Sequence, residues 1–404
     1  MINLVIVVQR FSPFDKVGAR RWSKFVHYLQ KNEDLKIQVI TQNYHCPPSN
    51  PWNIEIEKGK VEIVYINDIF SSIKKNLPFL NKLVDYLQYK LLKYTDEGYG
   101  FSKKAFNYLK KEKLKIKPDV IIASSPAYST CYFASKYKSI FPETKLINDF
   151  RDAWIDGFFS WNLGDKSSHP TFNKQVDMEL FALNNCDVVV SVTPELIEKL
   201  KLKITNPKVD TALVTNGFDK RDLMEVNLDY PLQFDKTKKN ICHFGTLDFG
   251  RDDEFIRFIS STTLPDNFVI YLIGTISKKL KIKLSGFKNV IHFEQMQPDH
   301  LHSFLYHADL HLIVNDPEFY YAYGSKVFNA MLYKKPIIFI SKENSLIKKY
   351  KTNNGFFYTD GSIHLNEEMI KQISSYKYTA NEMPSYPEFD IEALAKQYYT
   401  IISN

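Results

Sequence analysis

The chain has 404 residues, of which 44% are hydrophobic, with a formal net charge of +7 and four cysteines. That length exceeds one ordinary core and suits two domains of about 150–200 residues. Cys46, Cys131, Cys186 and Cys242 are scattered without C-x-x-C spacing. This excludes a zinc ribbon or a dense disulfide framework and fits a reduced, cytoplasmic protein. No stretch approaches the ~20 apolar residues of a membrane-spanning helix.

The apolar opening run has no basic flank and stops at Gln9-Arg10, so residues 4–8 read as a buried first strand rather than a signal sequence. A helix follows over 20–30, with Trp22, Phe25, Val26 and Leu29 on one face. Strands follow at 37–41 and 61–66. Residues 70–117 carry twelve Lys against four Asp or Glu, which accounts for about the whole charge excess. Within them Phe79-Leu80, Leu83-Val84, Leu87 and Leu91-Leu92 recur at helical spacing. The window is either an ordinary helix with solvated lysines or a basic amphipathic surface for anionic lipid or a lipid-linked acceptor. No motif supports nucleic-acid binding. Strands at 119–123, 145–149, 187–192 and 212–215 complete the first half.

The turn Asn216-Gly217-Phe218-Asp219 reads as a hinge, because Gly217 tolerates a positive φ. Residues 229–239 look like linker. The strand–helix alternation then restarts, with strands at 240–244, 269–273, 290–293, 309–314 and 336–340. A short helix lies over 325–333 and a terminal helix over 391–402. Such alternation predicts an α/β architecture of mostly parallel sheets, with ligands bound beyond the carboxyl ends of the strands. The chemistry therefore belongs to the loops that follow strands.

Two loops of the second half suit phosphate. In one, Gly324 lets a ligand approach the backbone, Ser325 can cap the helix or donate to a phosphate oxygen, and Lys326 adds a point charge at a helix N-terminus. In the other, Gly245-Thr246-Leu247 leads to Arg251, which can grip a diphosphate bidentately. The plain alternatives are a serine cap with a solvated lysine, and an Arg251 salt bridge to Asp252 or Asp253. In the first half, the loop 9–21 carries Gly18, Arg20 and Arg21. The strand end Asn148-Asp149-Phe150-Arg151-Asp152-Ala153-Trp154 offers carboxylates and a guanidinium for sugar hydroxyls, and an indole to stack on a sugar face. Its plain alternative is a structural Arg–Asp pair. Ser125 opens a third loop. His300, His302, His307 and His311 lack the spacing of metal ligands.

Together, Gly245-Thr246-Leu247 with Arg251, Ala308-Asp309-Leu310, Gly324-Ser325-Lys326-Val327-Phe328-Asn329 and Lys335-Pro336-Ile337-Ile338 resemble the donor domain of family 4, GT-B fold bacterial glycosyltransferases of surface polysaccharide synthesis. Asn216-Gly217-Phe218-Asp219 resembles their interdomain turn, and residues 149–154 resemble a "DFRDPW" segment with Ala153 in place of proline. The resemblance implies two Rossmann-like domains facing each other across a cleft. Residues 1–216, with a terminal helix near 388–404 packing back on them, would bind the acceptor, and 217–387 the nucleotide-sugar donor. It implies retaining hexosyl transfer to a glycan or polyprenyl-diphosphate-linked acceptor, by a cytoplasmic protein peripheral to the inner membrane face.

By the same resemblance, Arg251 and Lys326 neutralise the donor diphosphate, with Asp152 orienting the acceptor. Gly245, Thr246, Tyr323, Gly324, Ser325 and Asn329 would line the donor, with Glu318 as a substitute acid. Gly18, Arg20, Arg21, Ser125, Asp149, Arg151 and Trp154 would line the acceptor. No metal and no cofactor beyond the nucleotide-sugar substrate are expected. The family's E-x7-E pattern is absent: Tyr321 and Asn329 stand at its two positions, which leaves a neutral side chain for the nucleotide ribose. A sugar-nucleotide 2-epimerase of the same fold, or a non-catalytic sugar-nucleotide binder, are the alternative readings.

Overall fold

A computed structural model describes residues 1–13, 17–44, 56–57, 59–111, 117–158, 171–223, 228–248, 250–377 and 385–404. Cys46, residues 112–116 of the basic window and parts of the loops 9–21 and 245–253 lie outside them. The chain divides into two compact units, Met1–Thr215 with Ile391–Asn404, and Asn216–Asp390.

The first unit holds β1 (Ile2–Val7), β2 (Leu35–Gln42), β3 (Val61–Ile66), β4 (Val120–Ser125), β5 (Lys145–Phe150), β6 (Val188–Ser191) and β7 (Asp210–Leu213). They pair in parallel in the order β3-β2-β1-β4-β5-β6-β7. Parallel strands covered on both faces must be apolar throughout, and Leu4, Val5, Ile6 and Val7 are accordingly fully buried. The helix Val17–Leu29 packs Trp22, Phe25, Val26 and Leu29 onto this sheet, beside Leu394, Ala395 and Tyr398 of the terminal helix Ile391–Ser403.

The second unit holds β8 (Lys239–Phe244), β9 (Phe268–Ile273), β10 (Val290–Phe293), β11 (Leu310–Val314), β12 (Ile337–Ile340) and β13 (Phe356–Thr359). Their order is β10-β9-β8-β11-β12-β13, again all parallel. In each unit the strand order reverses beside the first strand, between β1 and β4 and between β8 and β11. The carboxyl ends at such a reversal are where open α/β sheets hold ligands.

Two sequence expectations are corrected here. Gly217 does not adopt a positive φ; the turn is anchored instead by the Phe218–Asp390 bridge and by the Asp219 carboxylate on Arg221. The basic window does not form one amphipathic helix. It breaks into Ile69–Asn76, Pro78–Leu80, Asn81–Asp85, a wider-wound turn, Tyr86–Leu91, and the helix Tyr99–Leu109, which buries Phe101, Ala105, Phe106 and Leu109. Between 77 and 93, among the described residues, only Val84 and Gln88 are buried, while Leu77, Phe79, Leu83, Tyr86, Leu91 and Leu92 are exposed. Proline at 78 cannot continue the first helix, so the 3.6-residue apolar pattern loses its common face.

Candidate functional site

At the reversal of the second sheet, the loops after β8 and β11 meet. Gly245 takes φ +84°, and a Cβ there would stand 2.9 Å from Lys326 Cε. The missing side chain is what lets Lys326 lie across the loop. Lys326 Nζ donates to Thr246 O (3.0 Å) and lies 3.3 Å from His243 Nε2. No carboxylate among the described residues pairs with it. Burial first, and the nearby Arg251 second, push the Lys326 ammonium down to about 7. A cation held this way is stabilised by an anion that arrives later.

Arg251 opens the helix Arg251–Ser261, and its Nε donates to Asp248 O at 3.1 Å. Burial lowers the pKa of its guanidinium despite the nearby carboxylates of Asp248, Asp316 and Asp252. Gly250, the residue before it, takes φ +87°, and a Cβ there would fall 1.8 Å from Asp316 Oδ2. Any other residue at 250 would displace that carboxylate. The salt bridge expected from Arg251 to Asp252 or Asp253 does not form: Asp252 accepts from Ser277 Oγ, and Asp253 pairs with Lys279.

The helix Ser325–Leu332 begins in open space. Gly324 is its N-cap (φ −59°, ψ 146°) with no side-chain cap, and a Cβ on Gly324 would meet nothing within 4 Å. Ser325 is therefore the first helical residue, exposed, and not the cap. A helix terminus without a side-chain cap favours an anion. Asn329 is half-buried one turn on. Tyr323 and Glu318 depart from their expected donor role. Tyr323 is buried and its hydroxyl accepts from Leu346 N (3.2 Å), which pins the loop, while Glu318 is exposed on the turn Pro317–Phe319.

The first unit gathers its polar strand-end segment into a different object. Asp149 is fully buried and accepts from Tyr398 OH (2.7 Å), Ser124 Oγ (2.6 Å), Trp22 Nε1 (3.0 Å) and Arg21 Nη2 (3.5 Å). Arg21 also donates to Val214 O and Thr215 O, both at 2.8 Å, and its guanidinium lies over the Phe25 ring. Burial and the Asp149 carboxylate raise the Tyr398 phenol well above its ordinary range. Asp149 and Arg21 are thus corrected from acceptor ligands to a clasp that binds the terminal helix. Ser125 is buried with Oγ on Asp149 O (3.4 Å). Trp154 cannot stack on a sugar from where it sits: it is fully buried, lies parallel to Tyr128 at 5.4 Å and donates to Gln175 Oε1 at 2.9 Å.

What remains accessible at the carboxyl end of the first sheet is smaller. Arg151 donates to exposed Asp152 (2.9 Å). A Cβ on Gly18 would stand 3.1 Å from Arg10 Cδ and 3.9 Å from Arg151 Nη1, so the loops after β1 and β5 converge there. Arg20 is half-buried in the same helix. Arg10 pairs with Glu97, while Gln9 Nε2 and Tyr44 OH both donate to Gln42 Oε1. Sequence reasoning did not single out Arg10, Gln42, Tyr44 or Glu97, nor His243 and Asp316 of the second unit. The position of Arg10 immediately after the first strand was the available signal.

Three of the four clustered histidines have separate uses: His311 is buried with Nε2 on Leu305 O, His307 Nε2 lies on Leu228 O, and His302 Nδ1 contacts Tyr333 OH, while His300 is exposed.

No family model matches the chain, and no curated protein does. Solved structures match along its whole length. A sucrose-phosphate synthase from Thermosynechococcus elongatus superimposes with a TM-score of 0.68 at 12% identity, covering 100% of this chain and 98% of that one. HepE from Anabaena, in complex with UDP and glucose, gives 0.61 at 13% identity, with 100% of both chains covered. A Listeria monocytogenes protein described as a UDP-N-acetylglucosamine 2-epimerase gives 0.55 at 11% identity, covering 100% of this chain and 96% of that one. At such identities the likeness establishes the fold, two parallel-sheet α/β domains of GT-B type.

Proposed function

We propose that the chain is a retaining glycosyltransferase. It moves a hexose from a nucleoside diphosphate sugar, UDP-linked as the first probe, onto a glycan or lipid-linked acceptor in surface polysaccharide synthesis. The observation that carries this reading is the convergence of Lys326, Arg251 and an open helix start at the sheet reversal, with no carboxylate among the described residues pairing with the lysine. The acceptor hydroxyl forms its bond to the anomeric carbon on the face that the nucleotide leaves. The C1–O bond to the diphosphate breaks, and the leaving diphosphate takes the acceptor proton. Charge grows on that diphosphate in the transition state, where two fixed cations act most strongly. They supply the countercharge a metal would otherwise bring, so activity is expected to survive EDTA. Gly18, Arg20, Arg151 and Asp152 are the acceptor-side groups, with Asp152 orienting the attacking hydroxyl.

UDP is expected to raise the melting temperature, and UDP-sugars to be slowly hydrolysed with nucleotide release. Turnover by Arg251→Ala and Lys326→Ala at wild-type rates would overturn the assignment. A 2-epimerase would instead scramble the configuration at C2, and a pure binder would show neither reaction.

An anionic membrane surface is the proposed partner on the acceptor side. Leu77, Phe79, Leu83, Tyr86, Leu91 and Leu92 are exposed beside the exposed lysines Lys82, Lys90 and Lys93. Each lysine near such a surface contributes about 1 kcal/mol. Among the described residues no helix is long and apolar enough to cross a membrane. The protein is expected to bind phosphatidylserine vesicles at low salt and to release them on Phe79→Glu; indifference to the vesicles overturns this part.

A further inference from the structure

His243 is the next-to-last residue of β8, at the carboxyl end of the strand, and fully buried. Its Nδ1 lies 3.0 Å from Leu312 O, and a carbonyl only accepts, so Nδ1 carries the proton. The other nitrogen, Nε2, is then an acceptor, and it faces Lys326 Nζ at 3.3 Å. A buried imidazole is costly unless both nitrogens are satisfied, and here the second is satisfied by a side chain from another element. Burial, and then the Lys326 charge, hold the ring well below its ordinary titration range, so it stays neutral. The two acceptors on Lys326, His243 Nε2 and Thr246 O, are both uncharged. A carboxylate would position the lysine equally well but would cancel the charge needed for an anion.

We propose that His243 is a positioning residue for the diphosphate: its fixed neutral tautomer aims the Lys326 ammonium without quenching it, and so makes nucleotide binding proton-linked. This rests on the diphosphate reading of Lys326. The groups around Lys326 are His243 from β8, the Thr246 carbonyl from the following loop, and Arg251 from its helix, with Asp248, Asp252 and Asp316 around Arg251. With Lys326 titrating near neutrality, the free site is only partly charged. UDP must then bring in a proton, and its affinity falls as pH rises above about 7.

The test is calorimetric titration of the full chain with UDP from pH 7 to 9, above the last phosphate ionisation near 6, in two buffers of different ionisation enthalpy. The wild type is expected to take up as much as one proton, and Lys326→Ala none. His243→Phe is expected to weaken UDP about tenfold at pH 7 and to move the midpoint down. His243→Gln, which restores an acceptor, is expected to recover most of both. Wild-type affinity and midpoint in folded His243→Phe would overturn the proposal. If that variant does not fold, the 15N resonance of His243 Nε2 decides: it should shift in Lys326→Ala, and an unmoved resonance overturns the proposal. Undiminished UDP binding by Lys326→Ala would instead overturn the diphosphate reading itself.

Discussion

Two polar clusters sit at the carboxyl ends of the two sheets, and their wiring is opposite. Around Asp149 a buried carboxylate meets a guanidinium, a phenol, an indole and a hydroxyl, and its accepting capacity is used within the first unit. Around Lys326 two cations and a helix terminus face one another with neutral acceptors and no paired carboxylate among the described residues. In sequence both look like charged loops after strands. The difference lies in whether the charges are answered inside the fold, and it separates a clasp from a binding site.

The contrast fixes what each cluster should do when it is cut. Asp149→Ala leaves the Arg21 guanidinium buried without its countercharge and is expected to cost about 3–5 kcal/mol of stability. Chemical denaturation should show this, while UDP affinity of the folded fraction stays unchanged. A loss of affinity with unchanged stability would erase the distinction. Arg251→Ala and Lys326→Ala should do the reverse, lowering transfer about a hundred- to thousand-fold with the melting temperature held or raised. Tyr398→Phe removes one donor to Asp149 and should cost about 1–2 kcal/mol, again without effect on UDP.

The smallest effect concerns pH. Lys326 titrates near 7 in the folded chain, against 10.5 ordinarily. Between these values the unfolded chain binds more protons than the folded one, so this lysine's contribution to stability rises with pH. Lys326→Met should therefore melt a few degrees higher than the wild type near pH 7, and the gap should narrow as pH climbs towards 10. A gap that did not change with pH would mean that the lysine is solvated.

Much of the fold was readable because continuous apolar runs mark buried parallel strands; β9 and β12 fall within one residue of where the runs do. β13 was missed: Phe356-Phe357-Tyr358-Thr359 is short, aromatic and without a flanking apolar run, and it is a strand because β12 offers it an edge. The local signals of the donor loops, glycines and a helix start, act over a few residues and survive in sequence. The clasp does not. Asp149 and Tyr398 are 249 positions apart, and nothing near Asp149-Phe150-Arg151-Asp152 signals that the aspartate faces inward. Trp154 misleads for the same reason, because its partner Gln175 lies beyond the segment that made the indole look like a sugar platform.

The terminal helix has a consequence for synthesis. The second unit is complete once Asp390 has been made, whereas the first unit still lacks Tyr398, its ligand to Asp149, and the Leu394 and Ala395 side chains of its core. Domains fold as their residues emerge, so here the chain order is inverted. The half that begins the protein is the last to close, and until then the cell holds a sheet whose Arg21, Asp149 and Trp22 await a helix still on the ribosome.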